Sequence, residues 1–285
     1  MLSDRFLSRL DTLSLAVRGR AQGGAGGSRR SRQTGSSAEF SDYREYIPGD
    51  DIRRLDWNAY ARFDRLFLKL FMEEQESQVT VMLDASASME AKWGAARAAA
   101  EAAGYLALTG GDRLSVQVLK NGRAVRSPEM AGRAAFPRLT GFLDGCAPDG
   151  AEGTVTECVK HAQGLRKGLC CLVTDGYTED CLKEGLDYLR YLKQETAVIQ
   201  VLSAEELNPG LEGAVRLTDS ETGETVDLLA DRPALEAYRD ALEGFLKGVR
   251  ENCASREATY MLLDGSVNFE EAFIPLLSSS RMIGH

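Results

Sequence analysis

The sequence predicts an α/β protein with a doubly wound, mostly parallel sheet and helices on both of its faces. Short apolar runs, at 79–83 and 169–173, are typical of strands buried on both faces. Stretches with helical periodicity alternate with such runs, and this alternation favours parallel strands joined by crossover helices. The chain has 285 residues, of which 44% are hydrophobic, so it can bury the core that this fold needs.

The predicted elements follow one another in a regular order. Strands are expected at 79–83, 114–119, 169–173, 197–202 and 260–263. Helices are expected between them at 91–109, 131–143, 181–194 and 233–253. A turn at Gly223 separates two further short strands, 215–218 and 225–228. A short N-terminal helix that docks on the core or in a partner's groove is predicted by apolar residues at helical spacing, Leu2, Phe6, Leu10, Leu13 and Val17.

These elements suggest three regions. Residues 1–77 form an N-terminal accessory segment, with the amphipathic helix, a linker rich in glycine and arginine, and a block of arginines and aromatic residues. Residues 78–265 form the α/β domain, and residues 266–285 form a C-terminal helix and tail. The arginine and aromatic block has two open interpretations, an internal network of salt bridges or a recognition surface. Candidate residues of that surface are Arg44, Asp50, Arg53, Trp57 and Arg62.

The composition excludes several classes of protein. Two histidines and six scattered cysteines, without a C-x-x-C pair, leave too few ligands for a zinc site or a histidine-based triad. No apolar run approaches the roughly 20 residues of a spanning helix, and the N-terminus does not resemble a signal peptide. We therefore expect a cytoplasmic protein without an integral membrane segment.

Charge is unevenly distributed along the chain. The net charge is −9, yet residues 1–35 carry seven arginines against two aspartates. Such a basic arm can bind nucleic acid, but it lacks the interleaved aromatic residues that stack on bases. We expect a solubilising lead-in and no nucleic-acid partner.

Polar side chains follow the two apolar strands where each strand ends. The first strand runs into Asp84-Ala85-Ser86-Ala87-Ser88, and the second into Thr174-Asp175-Gly176. Alternate residues of an extended loop point the same way, and the carboxyl ends of parallel strands share one edge of the sheet. Thr154 lies in a glycine-containing loop just before a helix. Two carboxylates and three hydroxyls supply part of the oxygen shell that Mg²⁺ prefers.

This set of residues resembles the metal-ion-dependent adhesion site of von Willebrand factor type A domains. The resemblance implies that Ser86, Ser88 and Thr154 bind Mg²⁺ or Mn²⁺ directly. Thr156 is the alternative to Thr154 as the metal-binding threonine. It also implies that Asp84 and Asp175 act largely through water or through contacts with the ligands. Such a site leaves one position of the metal open for an acidic residue of a partner protein.

The upstream block resembles the signature of a bacterial family, domain of unknown function family fifty-eight (DUF58). The residues that carry it are Glu39-Phe40, Asp42 to Tyr46, Pro48 to Asp51, Arg53, Asp56-Trp57 and Ala61-Arg62. The resemblance extends from about Leu13 to the C-terminus. It implies a type A-like domain after the block and association with a MoxR-type AAA+ ATPase.

The hypothesis is a non-enzymatic, metal-dependent interaction module, an adaptor or co-chaperone in the assembly or maturation of protein complexes. One alternative is a metal-dependent phosphohydrolase with Asp84 as its first acid, although Ser86 stands where D-x-D enzymes have the second. Another is a nucleic-acid binder that uses the basic arm. A third interpretation treats Asp84 to Ser88 as a polar turn that caps the next helix. Neither G-x-S-x-G nor a phosphate-binding loop occurs, so any ATPase activity is expected in the partner.

Overall fold

The computed structural model describes residues 2–13, 15, 39–48, 50–52, 55–72, 77–149, 153–219, 223–280 and 282. The described strands are β1 (Glu39–Glu45), β2 (Phe67–Met72), β3 (Gln78–Asp84), β4 (Arg113–Lys120), β5 (Arg123–Arg126), β6 (Met130–Ala131), β7 (Gly168–Thr174), β8 (Gln194–Leu202), β9 (Gly213–Thr218), β10 (Thr225–Ala230) and β11 (Thr259–Asp264). The described helices are α1 (Asp4–Leu10), α2 (Trp57–Phe63), α3 (Trp93–Thr109), α4 (Phe136–Asp144), α5 (Val155–Lys160), α6 (Lys183–Tyr191), α7 (Ala204–Leu207), α8 (Arg232–Ser255) and α9 (Phe269–Ser279). The chain divides into a large unit, residues 1–18 with 77–285, and a small unit, residues 19–76.

A mostly parallel sheet forms the centre of the large unit, which confirms the predicted α/β class. Its strands lie in the order β11-β8-β7-β3-β4-β5, and the short strand β6 also pairs with β4. The first five of these are parallel to one another, whereas β5 and β6 run antiparallel to β4. The apolar runs that predicted strands fill the middle of the sheet, because β3 and β7 are buried along their whole length.

Helices cover both faces of this sheet. Side chains alternate between the faces of a strand, and on β3 they divide between two hydrophobic clusters. Val81 and Leu83 pack in a cluster with residues of α3, α4, α9 and α1. Met82 packs in the other cluster, with residues of α5, α6 and α8. The sheet is therefore doubly wound, with its core in two layers.

The order of the strands creates a switch point beside β3. The chain leaves β3 through α3 and reaches β4 on one side, and it later returns to the other side of β3 as β7. After β7 it continues into α6, which packs on the opposite face from α3. The chain therefore leaves β3 and β7 towards opposite faces of the sheet, and open parallel sheets bind ligands at the carboxyl ends of such strands.

The N-terminal helix packs on the core of the large unit. The sequence-based division put this helix with residues 1–77, whereas in the structure it belongs with residues 77–285. Phe6 and Leu10 are buried, and the Phe6 ring lies edge-on to Phe269 of α9 at 5.7 Å between centroids. Ser3 donates hydrogen bonds to Glu270 through its backbone nitrogen and its hydroxyl, at 2.7 and 2.6 Å. The apolar stripe of α1 is thus used within the chain itself.

The small unit contains a two-stranded antiparallel sheet with a helix in the connection. Strand β1 pairs with β2, and α2 lies between them in sequence. Asp56 caps α2 by accepting hydrogen bonds from the backbone nitrogens of Asn58 and Ala59, and Asp64 ends it in a left-handed conformation. The sequence analysis predicted no regular element here, because charged and aromatic residues alternate without an apolar run.

Two further observations concern the helices. The helix predicted over 131–143 begins at Phe136, because Pro137 occupies its first turn and β6 takes Ala131 into the sheet. None of the helices that the structure describes has the length and apolar character required to cross a membrane.

Candidate functional site

The two predicted acids lie at the switch point of the sheet. Asp84 is the last residue of β3, and Asp175 directly follows Thr174, the last residue of β7. Because β3 and β7 are parallel neighbours, these positions share one edge of the sheet. Both side chains are buried, which is uncommon for aspartate and requires compensating contacts.

Asp84 is held by neutral donors. Its side chain is 1% exposed. The Thr174 hydroxyl donates to Asp84 Oδ2 at 2.7 Å, and the backbone nitrogen of Ser86 donates to Oδ1 at 3.0 Å. Burial, followed by the negative charge of Asp175, raises the pKa of Asp84 to about 6. Asp175 is therefore close enough for its negative charge to disfavour ionisation of Asp84.

The serines connect Asp84 to Asp175. The hydroxyls of Ser86 and Ser88 are 3.0 Å apart, and Ser88 Oγ donates to Asp175 Oδ2 at 2.7 Å. Both serines are half-buried, so they are the members of the group that solvent reaches. Gly176 has a φ of +77° and turns the chain sharply, and the backbone nitrogen of Tyr177 then donates to Asp175 Oδ1 at 3.1 Å. Four of the five predicted site residues are thus joined by a continuous set of hydrogen bonds.

The two candidate threonines lie in the first turn of α5 and its cap. Thr154 is the N-cap of α5, and its hydroxyl accepts from the backbone nitrogen of Glu157 at 3.2 Å in a capping box. Thr156 is buried, and its hydroxyl has no hydrogen-bond partner within the described part of the chain. It faces Gly185 of α6. Among the described residues, no hydrogen bond links either threonine to the other four site residues, and the choice between the two remains a prediction.

The sequence analysis missed two charged residues beside this group. The Lys92 side chain is fully buried, and its Nζ lies 3.0 Å from Asp175 Oδ2. The same ammonium forms an ion pair with Glu206, in α7, and lies 4.8 Å from the centroid of the Tyr177 ring. Burial opposes ionisation of Glu206, but the hydrogen bonds from Lys92 and Ser203 together with the charge of Lys92 outweigh it and lower the pKa of the carboxyl. The sequence analysis had treated Glu205-Glu206 as a solvated turn.

A signal for Lys92 was present in the sequence. Ala96, Ala99 and Ala103 form one alanine stripe among the many buried residues of α3, and Lys92 stands one turn before this stripe. A charge in line with a buried alanine stripe requires a buried partner. The identity of that partner could not be predicted, because Glu206 is 114 residues away and the two meet only through the strand order.

The donor chemistry of the group fits a hard divalent cation. Two carboxylates and two hydroxyls converge at one edge of the sheet, and Asp84 has only neutral donors although it lies close to a second acid. A cation of this kind is the partner that would relieve the repulsion between the acids. The described residues contain no cluster of three or more His, Cys, Asp or Glu side chains that could hold a metal ion. Hydroxyl oxygens would therefore have to provide part of the coordination.

The residues proposed for a recognition surface are only partly described. Arg44 Nη2 pairs with Asp50 Oδ1 at 2.8 Å, and Asp50 Oδ2 accepts from the backbone nitrogen of Ile47. Trp57 is 64% exposed and Arg62 is also exposed, whereas Arg53 lies outside the described residues. The segment therefore combines local ion pairing with exposed aromatic surface. Of the seven arginines in the basic arm, only Arg5 and Arg9 fall in the part that the structure describes.

Three kinds of similarity to known proteins were found. A family described as "Protein of unknown function DUF58" matches residues 42–243. Uncharacterized proteins of Mycobacterium tuberculosis and Mycobacterium bovis are 27% identical over 246 residues, which is 81% of this chain and 75% of theirs.

Two solved structures also resemble the chain at a low level. One is a conserved hypothetical protein, BatB, from Bacteroides thetaiotaomicron, with 15% identity, a TM-score of 0.45, and coverage of 71% of this chain and 98% of that one. The other is an aerotolerance-related membrane protein from Bacteroides fragilis, with 14% identity, a TM-score of 0.39, and coverage of 71% and 99%.

The family match spans well over half of the sequence and includes the strands that carry Asp84 and Asp175. The chain belongs to the DUF58 family.

Proposed function

We propose that this chain is a von Willebrand factor type A-like protein that holds Mg²⁺ or Mn²⁺ and uses it to bind an acidic residue of a partner protein. The observation that carries the proposal is the set of hydrogen bonds joining Asp84, Ser86, Ser88 and Asp175 at the switch point of a parallel sheet. Open α/β sheets bind their ligands at this position. Ser86, Ser88 and Thr154 would be the direct ligands, and Asp84 and Asp175 would balance the charge.

The buried acids and the half-buried serines have different tasks in this proposal. Asp84 fixes the start of the loop through the Ser86 backbone nitrogen, and Asp175 orients the Ser88 hydroxyl. The two serines are more exposed than the two acids. When bound, the metal would act as a Lewis acid. Because neutral hydroxyl ligands do not neutralise its charge, its open position would favour a carboxylate of a partner protein.

The same contacts favour binding over phosphoryl chemistry. A nucleophilic carboxylate has to reach its substrate, but Asp84 is almost fully buried and both of its oxygens accept hydrogen bonds from the protein. The position two residues further on, which would carry the proton-transferring acid of a phosphohydrolase, is Ser86. We therefore propose a module without catalytic activity of its own.

The proposed partner is a MoxR-type AAA+ ATPase in the cytoplasm, with the chain as adaptor or co-chaperone in the assembly or maturation of protein complexes. Membership of the DUF58 family supports this partner, because the resemblance to that family implies association with a MoxR-type ATPase. The test is co-purification of the ATPase with the full chain from the native cell. We expect the ATPase to be retained in Mg²⁺ and lost in EDTA, and retention in EDTA would contradict a metal-dependent contact.

Isothermal titration calorimetry with Mg²⁺ and Mn²⁺ tests the metal site itself. We expect one site in the wild type and no measurable heat with Asp84→Ala. Ser88→Ala is a second variant that leaves both acids in place, and it should weaken binding. Glu90→Ala is the matched control, because Glu90 is an exposed acid in the same turn. Equal heats for the wild type and Asp84→Ala, with both folded by circular dichroism, would disprove the site.

A further inference from the structure

Lys92 is a fully buried cation placed directly against the candidate site. It ends the 3₁₀ turn Ala87–Lys92, which connects the serine loop to α3. Its Nζ contacts the same oxygen of Asp175, Oδ2, that accepts the Ser88 hydroxyl. Since a buried ammonium is strongly disfavoured unless it is paired, this contact is part of how the site is stabilised without a metal.

Glu206 gives the lysine a second partner. It is in α7, which follows β8. In the sheet, β7 lies between β8 and β3, so Asp175 stands between Glu206 and Lys92 in the strand order, and these two residues form an ion pair. Glu206 is itself fixed, because its Oε2 accepts from the backbone nitrogen of Ser203 at 2.6 Å in a capping box. Its backbone oxygen accepts from the Tyr238 hydroxyl of α8 at 2.7 Å. Lys92 can therefore lose Asp175 and still remain paired.

The charges of the cluster point to competition at Asp175. Lys92 pairs with Asp175 and Glu206, and Asp84 joins the same hydrogen-bonded group through the two serines, so these four charged side chains carry a formal charge of −2 when all are ionised. A divalent cation would make the cluster neutral. It would also place a positive charge close to Nζ, and like charges at short range in a poorly solvated site repel strongly. One of the two cations has to leave Asp175.

We propose that Lys92 is a positioning residue that holds Asp175 when no metal is bound and pairs with Glu206 alone when a divalent cation is bound. This inference rests on the proposed metal site. Lys92 then weakens metal binding because it competes for Asp175, and Glu206 strengthens it because it receives the displaced lysine. Metal occupancy is in this way linked to α7 and, through Tyr238, to α8.

Two variants separate this role from a merely structural one, because they remove opposite partners of the same ion pair. In Lys92→Met, the competitor is gone, and we expect Mn²⁺ to bind about tenfold more tightly in calorimetry. In Glu206→Gln, the lysine has Asp175 as its main partner, and we expect binding about tenfold weaker. Loss of structural support alone would lower thermal stability in both variants and move both affinities in the same direction.

Glu205→Gln is the matched control, because Glu205 is the exposed neighbour in the same helical turn and has to leave the affinity unchanged. Opposite shifts in Lys92→Met and Glu206→Gln would support the inference. Shifts in the same direction, or equal affinities in all four proteins, would overturn this inference while leaving the metal site intact. No binding by the wild type would overturn the proposed function, and this inference with it.

Discussion

The buried charges at the candidate site of the large unit contrast with the exposed aromatic side chains of α2 in the small unit. In the large unit, Asp84 and Asp175 are buried where two apolar strands end, and Lys92 is buried beside Asp175. In the small unit, no residue of α2 is buried, and Trp57 and Phe63 are 64% and 66% exposed. Burial of charge costs stability and persists where a function requires it, whereas clustered exposed aromatics mark surface available for contacts. The proposed metal site belongs to the large unit, and the exposed aromatic side chains of the small unit are candidates for contacts with a partner.

The first prediction concerns Phe6 of α1, and it carries the largest expected effect. Phe6 is buried against Phe269 and Phe273, so Phe6→Ala should lower the free energy of unfolding by about 3–5 kcal/mol. Urea denaturation of the full chain measures it. A loss below about 1 kcal/mol would show that α1 does not contribute to the core of the large unit.

The second prediction concerns the pH dependence of the buried acid. The pKa of Asp84 is raised from 3.8 to about 6 in the folded chain, so its protonated form is the stabilising one. In EDTA, this contribution is complete below pH about 4 and is lost as the pH rises through about 6, which amounts to about 3 kcal/mol. Asp84→Asn should remove this dependence and make the metal-free protein more stable than the wild type at pH 8.

The control for that experiment is Asp187→Asn. Arg256 pairs with Asp187 at 2.7 Å and lowers the pKa of this exposed carboxyl, so its substitution has to give no gain in stability at pH 8. Thermal unfolding in EDTA at several pH values between 4 and 8 measures both variants. An unchanged pH profile in Asp84→Asn would contradict the raised pKa of Asp84.

The third prediction concerns the serines. Mg²⁺ at about 100 times its dissociation constant should stabilise the wild type by about 2.7 kcal/mol, because it binds the folded chain only. The double variant Ser86→Ala/Ser88→Ala keeps both buried acids but lacks the hydroxyls, and we expect it to lose this stabilisation. Thermal shift with and without Mg²⁺ measures the difference. Full stabilisation of the double variant would assign metal binding to other residues.

The smallest expected effect is that of Trp57→Ala on stability. Trp57 is exposed and contacts Tyr60 at 6.4 Å between ring centroids, so the free energy of unfolding should change by less than about 0.5 kcal/mol. If the small unit is a recognition surface, the same variant should weaken capture of the AAA+ partner at least about tenfold. Unchanged capture would leave the aromatic surface without a role in that contact.

The sequence predicted β3 and β7 because they contain continuous apolar runs, and Asp84 and Asp175 because they follow those runs; it did not predict β5 and β6, the short antiparallel strands of the same sheet. It did not predict β1 and β2, whose residues lack such a run. The partner of Lys92 also escaped prediction, because that ion pair depends on how β3, β7 and β8 are ordered in the sheet. Local pattern thus indicates which residues end a strand, and tertiary order decides which of them meet.

The most direct test of the central claim is a crystal structure of the chain soaked in Mn²⁺, with anomalous diffraction to locate the metal. The account predicts one anomalous peak within bonding distance of Ser86 Oγ and Ser88 Oγ, next to Asp84 and Asp175, with Lys92 paired to Glu206. A peak elsewhere with none at the serines, at a Mn²⁺ concentration that saturates binding in solution, would contradict it.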